Sequence, residues 1–343
     1  MFRRIVTLTI LIIVFLWIGT STTSTVAAPP AQGDPQQGAY IFSAAAGCGC
    51  HMGQDGFLAG GEPFEGPFGK VYPRNITPHE DTGIGKWSDQ EIIDAIRLGK
   101  HPSGDQLFPI MPYPVYSNMS DQDVQDLVTF LRSVPPIENA MPASALNFPV
   151  APFEPRAAAP EMAPTDGVDR GRYLVNAISD CTGCHTPSNP DGSPDMSMFL
   201  AGSYNQGTGL APNITPHKDT GVGEWSEDQI ATFLRTGTRP DGSQTSGFMQ
   251  LVIQDGYKDL TEADAQAIAA YLKTVPAVAN SPEAPAMEEA MPQEEQSQPA
   301  QLPKTGGNTY VGLWLSGLLT LVGVVMLSIG WVLQRRRHRL AKF

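Results

Sequence analysis

"CTGCH", residues 181–185, sets two cysteines three positions apart with a histidine directly after the second. Two thiols at that spacing can add across the two vinyl groups of a haem, and the histidine that follows reaches the iron. A zinc site would use the same residue types, but it wants four protein ligands and no second Cys/His cluster lies nearby in this half of the chain. A thioredoxin-like redox pair would need a βαβ context, which is absent. The other two cysteines, Cys48 and Cys50, stand in "GCGCH" (47–51), one residue short of the same motif. A disulfide within either pair would close a tiny loop and stabilise little. Both clusters therefore read as covalent haem sites. Cys181, Cys184, Cys48 and Cys50 are the attachment candidates, and His51 and His185 are the iron ligands. The shortened site leaves open whether Cys48 reaches its vinyl group, so the first haem is held by two bonds or by one.

Working outward, the chain repeats itself. "RNITPHEDTGIGKWSDQEI" (74–92) recurs as "PNITPHKDTGVGEWSEDQI" (212–230), an offset of 138, and "GAYIF" matches "GRYLV" with Tyr40 opposite Tyr173, an offset of 133. "MSDQDVQDLVTFLRSVP" matches "LTEADAQAIAAYLKTVP" at an offset of 141. Between the tyrosines and the histidines the offset grows by one. The missing residue is expected between the cysteines, because a deletion inside the preceding helix would rotate everything upstream by roughly 100°.

Each unit reads as three helices joined by long loops, an all-α arrangement of two tandem modules over 36–138 and 167–278. The first helix ends at the cysteine motif. The second opens on Ser88 or Ser226 with Glu91 or Gln229 three residues on, a capping box. The third opens on Ser120 or Thr261, carries apolar residues at helical spacing (Val124, Leu127, Val128, Leu131; Ala265, Ile268, Ala269, Leu272), and stops before Pro135 or Pro276. A unit this short and loop-rich has little core of its own, and a large apolar cofactor at its centre would supply the missing mass.

A second iron ligand is expected from methionine, whose thioether raises the reduction potential relative to histidine. Met111 and Met249 share the 138 offset and precede the third helix, so they are the axial candidates. Met119 aligns with Leu260 beside the helix start and reads as an apolar staple. Met52, Met196 and Met198 have no methionine partner in the other unit. Trp87 and Trp225 read as packing residues, and His79 and His217 as solvated loop histidines. The formal glycosylation sequons at Asn75 and Asn213 recur inside the repeat, which suggests loop hydrogen bonding instead.

The ends carry address signals. Arg3 and Arg4, the apolar run from Ile5 to Ile18 and the small residues ending at Ala28 read as a signal peptide over 1–28. Residues 139–166 form a Pro/Ala-rich connector. Residues 279–301 are acidic and Pro-rich and read as a disordered stalk. "LPKTGG" (302–307) follows, then an uncharged span at 310–333 and a basic tail at 334–343. The span is long enough to cross a bilayer and the tail keeps it cytoplasmic at that end, so the haem units lie outside. Of the 22 Lys and Arg, seven sit in the two end segments, while all 35 acids lie between them, where 15 bases face 35 acids for a net charge of −20. Such a surface argues against nucleic acid and would steer a partner with a basic docking face.

"NITP-x-x-DTG-x-G-x-W-S" after a Cys/His site, followed by "MPYPVYSNMSDQDVQDLVTFLRSVPP", resembles the dihaem and multihaem cytochromes c, including the cytochrome subunits of membrane-bound alcohol, aldehyde and gluconate dehydrogenases. The resemblance spans about residues 36–278. It implies two class I cytochrome c folds, two covalent haems c with iron bound by His51/Met111 and His185/Met249, and thioethers at Cys181, Cys184 and Cys50. "LPKTGG" with its span and basic tail resembles a sortase cell-wall sorting signal, cut between Thr305 and Gly306. The expected function is electron transfer between an extracytoplasmic dehydrogenase or respiratory complex and an acceptor. A dihaem peroxidase-like enzyme using the atypical first site is the alternative, and a disulfide-bearing surface protein without cofactor is a third.

Overall fold

The computed structural model describes residues 33–189, 192–205 and 209–283, all within the compact unit that ends at Pro285. The expected signal peptide, the LPKTGG motif, the span at 310–333 and the basic tail lie outside the described residues, as does the stalk beyond 283. Among the described residues no helix is long and apolar enough to cross a membrane.

In the first unit, helix α1 (Pro35–Ala44) starts where the Asp34 side chain accepts the Gln36 N–H and proline fills the first helical position. A kinked segment, Ala46–His51, with left-handed backbone at Gly47 and Cys48 and a 3₁₀ turn at its end, carries the cysteines. Helix α2 (Asp89–Leu98) opens on the Ser88/Glu91 capping box, α3 (Tyr113–Tyr116) is a single turn, and α4 (Asp121–Ser133) opens where Ser120 accepts the Asp123 N–H. The second unit repeats this order. Helix α5 (Gly167–Tyr173) runs into a π turn (Leu174–Ile178) and then α6 (Cys181–His185). Helix α7 (Glu227–Thr236) opens on the Ser226/Gln229 box, followed by α8 (Phe248–Asp255) and α9 (Glu262–Thr274), capped by Thr261. The three expected helices per unit are present, and an additional one lies in each loop before the third.

The architecture is helical but not all-α. Strands β1 (Phe64–Gly66) and β2 (Gly69–Val71) pair antiparallel, and β3 (Ala145–Leu146), from the connector, adds to β2. In the second unit β4 (Ser203–Asn205) pairs with β5 (Gly209–Ala211). These strands are too short to show an alternating apolar pattern. Gly69, at φ 106°, lies so close to the connector that a Cβ would collide with the Ala145 carbonyl, so the hairpin needs glycine there.

Within each unit the first helix crosses the third. Gly38 on α1 and Gly171 on α5 make this approach possible, since a Cβ at either would collide with the Asp126 or Ala267 carbonyl. The apolar stripe expected on the third helices is buried: Val124, Leu127, Val128 and Leu131 on α4, and Ala265, Ile268, Ala269 and Leu272 on α9. Met119 and Leu260 are fully covered, in keeping with the staple.

The two units share one continuous core, and a reciprocal exchange ties them. The Tyr40 hydroxyl donates to Asp264 (2.6 Å) and accepts the Thr261 N–H (3.3 Å), so a side chain from α1 occupies the start of α9. The Tyr173 hydroxyl donates to Asp123 (2.5 Å) and accepts the Ser120 N–H (2.8 Å) at the start of α4. Each unit's first helix thus caps the other unit's third, a pseudo-twofold arrangement built on the tyrosine pair that the repeat aligns. Orphan amides at a helix start are satisfied in this way, and the cysteine segments at the ends of α1 and α5 are brought to the same interface.

Candidate functional site

His51 and His185 are held by the same bond. His51 Nδ1 lies 2.7 Å from the Arg74 carbonyl, and His185 Nδ1 lies 2.7 Å from the Pro212 carbonyl. A carbonyl only accepts, so Nδ1 carries the proton and Nε2 keeps its lone pair. A partner of this kind, outside the ligand itself, is what orients a metal-bound imidazole. Burial pushes both imidazole pKa values down, with the carbonyl bond opposing, which keeps the rings neutral as a ligand must be.

The acceptors are fixed in turn by the residues that follow them. The Asn75 amide donates to Ile137 O (2.7 Å) and Asn139 O (3.3 Å), while its oxygen accepts from Thr77 N–H and Oγ1. Asn213 repeats the set with Val278, Asn280 and Thr215. Both asparagines are buried, so the sequons serve the loop, as expected. His79 and His217 accept from the backbone N–H of Thr82 and Thr220 within the same loops. Trp87 and Trp225 pack against the core.

A third repeated element was not singled out by sequence reasoning: "FLAG" at 57–60 and 199–202. Leu58 and Leu200 are fully buried at φ 60° and 59°, a left-handed conformation costing roughly 1–3 kcal/mol for such residues. Their carbonyls accept Ile76 N–H (2.9 Å) and Ile214 N–H (3.0 Å), and the next glycines, Gly60 and Gly202, donate to the carbonyls of His51 and His185. The strained turn therefore clasps each histidine to the Asn loop. An identical tetrapeptide in both units was the signal available in the sequence.

The cysteine segments differ. In the first unit Ala45 N–H bonds back four residues to Ile41 O (2.9 Å), while in the second Ser179 N–H bonds back five, to Leu174 O (2.8 Å). The next residue turns left-handed in both, Ala46 at φ 58° and Asp180 at φ 45°. The extra residue of the second unit is thus taken up in the π turn, ahead of the cysteines and not between them as expected. A single π turn absorbs one residue locally without rotating the upstream helix.

No disulfide links the four cysteines; Cys48, Cys181 and Cys184 are half-buried and Cys50 is exposed. Met111 lies in the turn before α3 and Met249 in the first turn of α8, both half-buried against the core. Helix α8, which carries Met249, packs on the other unit's Ala46–His51, and α3, which follows Met111, packs on the π turn Leu174–Ile178 that leads to the other unit's cysteines. Met52 also packs on the core, whereas Met196 is exposed. Among the described residues no group of three His, Cys, Asp or Glu could hold a bare metal ion. The oriented imidazole and two nearby thiols of each unit are the residue types that would hold haem covalently.

Residues 35–135 and 168–276 each match the cytochrome c family model. The chain belongs to the cytochrome c family. Each module of that family carries a covalently attached haem c, so this cytochrome carries two. It is 36% identical over 260 residues to the fructose dehydrogenase cytochrome subunit of Gluconobacter japonicus, covering 71% of this chain and 53% of the relative. It is 37% identical over 265 residues to a protein of Cereibacter sphaeroides named diheme cytochrome c-type, covering 72% and 87%. It is 36% identical over 264 residues to the gluconate 2-dehydrogenase cytochrome c subunit of Pantoea cypripedii, covering 70% and 59%. The cytochrome thus spans little more than half the length of these two dehydrogenase subunits. Residues 294–339 match the LPXTG cell wall anchor motif.

Proposed function

We propose that this cytochrome is an extracytoplasmic, tethered electron carrier that passes electrons between a dehydrogenase or respiratory complex and an acceptor. Residues 36–138 and 167–278 are its two haem-holding modules. His51 with Met111, and His185 with Met249, are the axial pairs, and Cys50, Cys181 and Cys184 form thioethers. The observation that carries this reading is the matched Nδ1–carbonyl bond at both histidines, because it aims an unprotonated Nε2 in each unit. When bound, haem supplies a one-electron couple. The protein's residues fix the imidazole tautomer, cover the site with apolar side chains and offer a second ligand that leaves no open iron position.

The similarity to two dehydrogenase cytochrome subunits supports a dehydrogenase as donor. The acidic middle of the chain suits a partner with a basic docking face. The cell wall anchor match supports a wall tether, made by cutting Thr305–Gly306 and discarding the span at 310–333. Uncleaved, the span holds the modules at the outer face of the membrane.

The test is reactivity. Reduced protein exposed to carbon monoxide, and oxidised protein exposed to peroxide, should show no spectral change, because histidine and methionine together would leave no open position on either iron. Rapid reaction at the first site would favour the peroxidase-like alternative. Loss of the sulfur-to-iron charge-transfer band on replacing Met111 or Met249, one band component for each, would establish the axial pairs.

A further inference from the structure

The shortened motif poses a geometric problem. Counted back from the histidines, the place of Cys181 falls on Gly47, and Cys48 falls on the place of Thr182. Position 47 cannot carry a thiol, because a Cβ there would collide with the Asp255 carbonyl at the end of α8, and its φ is 65°.

Cys48 nevertheless has the surroundings of Cys181. Both thiols pack against the shared core. Cys48 lies beside buried Tyr116, and Cys181 beside buried Tyr257. These two tyrosines are themselves equivalent, at the 141 offset of the segments leading into the third helices. The backbone shows what brings Cys48 there. In the second unit Asp180 alone is left-handed before α6 begins, whereas in the first Ala46, Gly47 and Cys48 are left-handed in succession, at φ 58°, 65° and 45°. The closing turn is tighter too: Met52 N–H bonds back three residues to Gly49, where Thr186 N–H bonds back four to Thr182. Three 3₁₀ residues rise about as far as four α residues, roughly 6 Å in each case. A non-glycine residue such as Cys48 takes up a left-handed conformation at a cost, and placing its thiol is a reason for bearing it.

We propose that Cys48 forms the first thioether of the first haem, so that "GCGCH" holds its cofactor by two bonds. The inference rests on reading residues 36–138 as a haem-holding module. The Cys48 thiol adds across a vinyl C=C: the S–C bond forms at the carbon beside the ring, the thiol hydrogen goes to the terminal carbon, and the π bond is lost. No oxidant or reductant is consumed.

The test is a thiol count. Purified holoprotein is denatured, alkylated with iodoacetamide, digested and examined by mass spectrometry. The expected result is no alkylated cysteine, with one haem on the peptide containing Cys48 and Cys50. Alkylated Cys48 on a peptide still carrying haem at Cys50 would overturn the inference while leaving the module a haem site. Both cysteines alkylated, with haem only on the Cys181/Cys184 peptide, would instead refute the reading of the first module, and the inference with it. Cys48→Ala supplies a second measurement. A vinyl group left unsaturated extends the conjugation of the ring, so the reduced α-band should gain a component at longer wavelength while the count stays at two haems. An unmoved band would contradict the proposal.

Discussion

The segments Tyr40–His51 and Tyr173–His185 leave matching helices and reach matching histidines with different numbers of residues. In one the chain ends its helix with a four-residue bond and then winds left-handed three times. In the other it widens into a π turn and then makes a regular helical turn. Both deliver an imidazole to a carbonyl at 2.7 Å. The comparison separates what the site requires from how a given stretch supplies it. The histidine, its carbonyl, the Asn loop and the strained Leu turn are duplicated, while the path through the cysteines is free to vary.

The duplicated part should respond alike in both units. His51→Ala and His185→Ala should each remove one of two low-spin haem signals, so about half the reduced α-band is lost in either variant. A selective loss confined to His185→Ala would break the equivalence. Next in size, Asn75→Ala and Asn213→Ala each remove a buried amide that joins two carbonyls to the following threonine, and should cost about 3 kcal/mol in denaturant unfolding. The two values should agree within about 1 kcal/mol.

The tyrosine exchange should be unequal. Asp264 keeps an ion pair with Arg170 (2.7 Å) when Tyr40 loses its hydroxyl. The position equivalent to Arg170 in the first unit is Gln37, so Asp123 loses more with Tyr173. Tyr173→Phe should cost about 2–3 kcal/mol and Tyr40→Phe about 1 kcal/mol. Equal losses would show that the ion pair does not compensate.

A pH-dependent contrast concerns Asp180, which has only Ala46 at the equivalent left-handed position. Burial holds its carboxyl up at about 7 against an ordinary 3.8. Between those values the folded protein keeps a proton that the unfolded chain has released, so Asp180 makes stability fall as pH rises through this window. Asp180→Asn should remove that fall, read as the difference between the two stability–pH curves; superimposable curves would contradict it.

Much of this was legible beforehand because its physics is local. Ser88, Ser226, Ser120 and Thr261 announce helix starts by side-chain capping, Pro135 and Pro276 mark the stops, and the third-helix stripe follows the helical period. Met119 and Leu260 were placed by the same logic. The strands were not legible, since three residues beside glycines carry no alternation. The π turn at 174–178 was missed because offset arithmetic locates an inserted residue only to within a segment. The reciprocal capping by Tyr40 and Tyr173 is a contact between units, and pairing two residues by repeat does not reveal that each serves the other's helix.

The most direct test of the account is the haem content of the purified protein, from a pyridine haemochrome spectrum set against protein concentration and intact mass. Two covalently bound haems per chain, both reduced and reoxidised by one electron each, are predicted. One haem per chain, or none that survives denaturation, would contradict the claim that both cysteine segments build the same site.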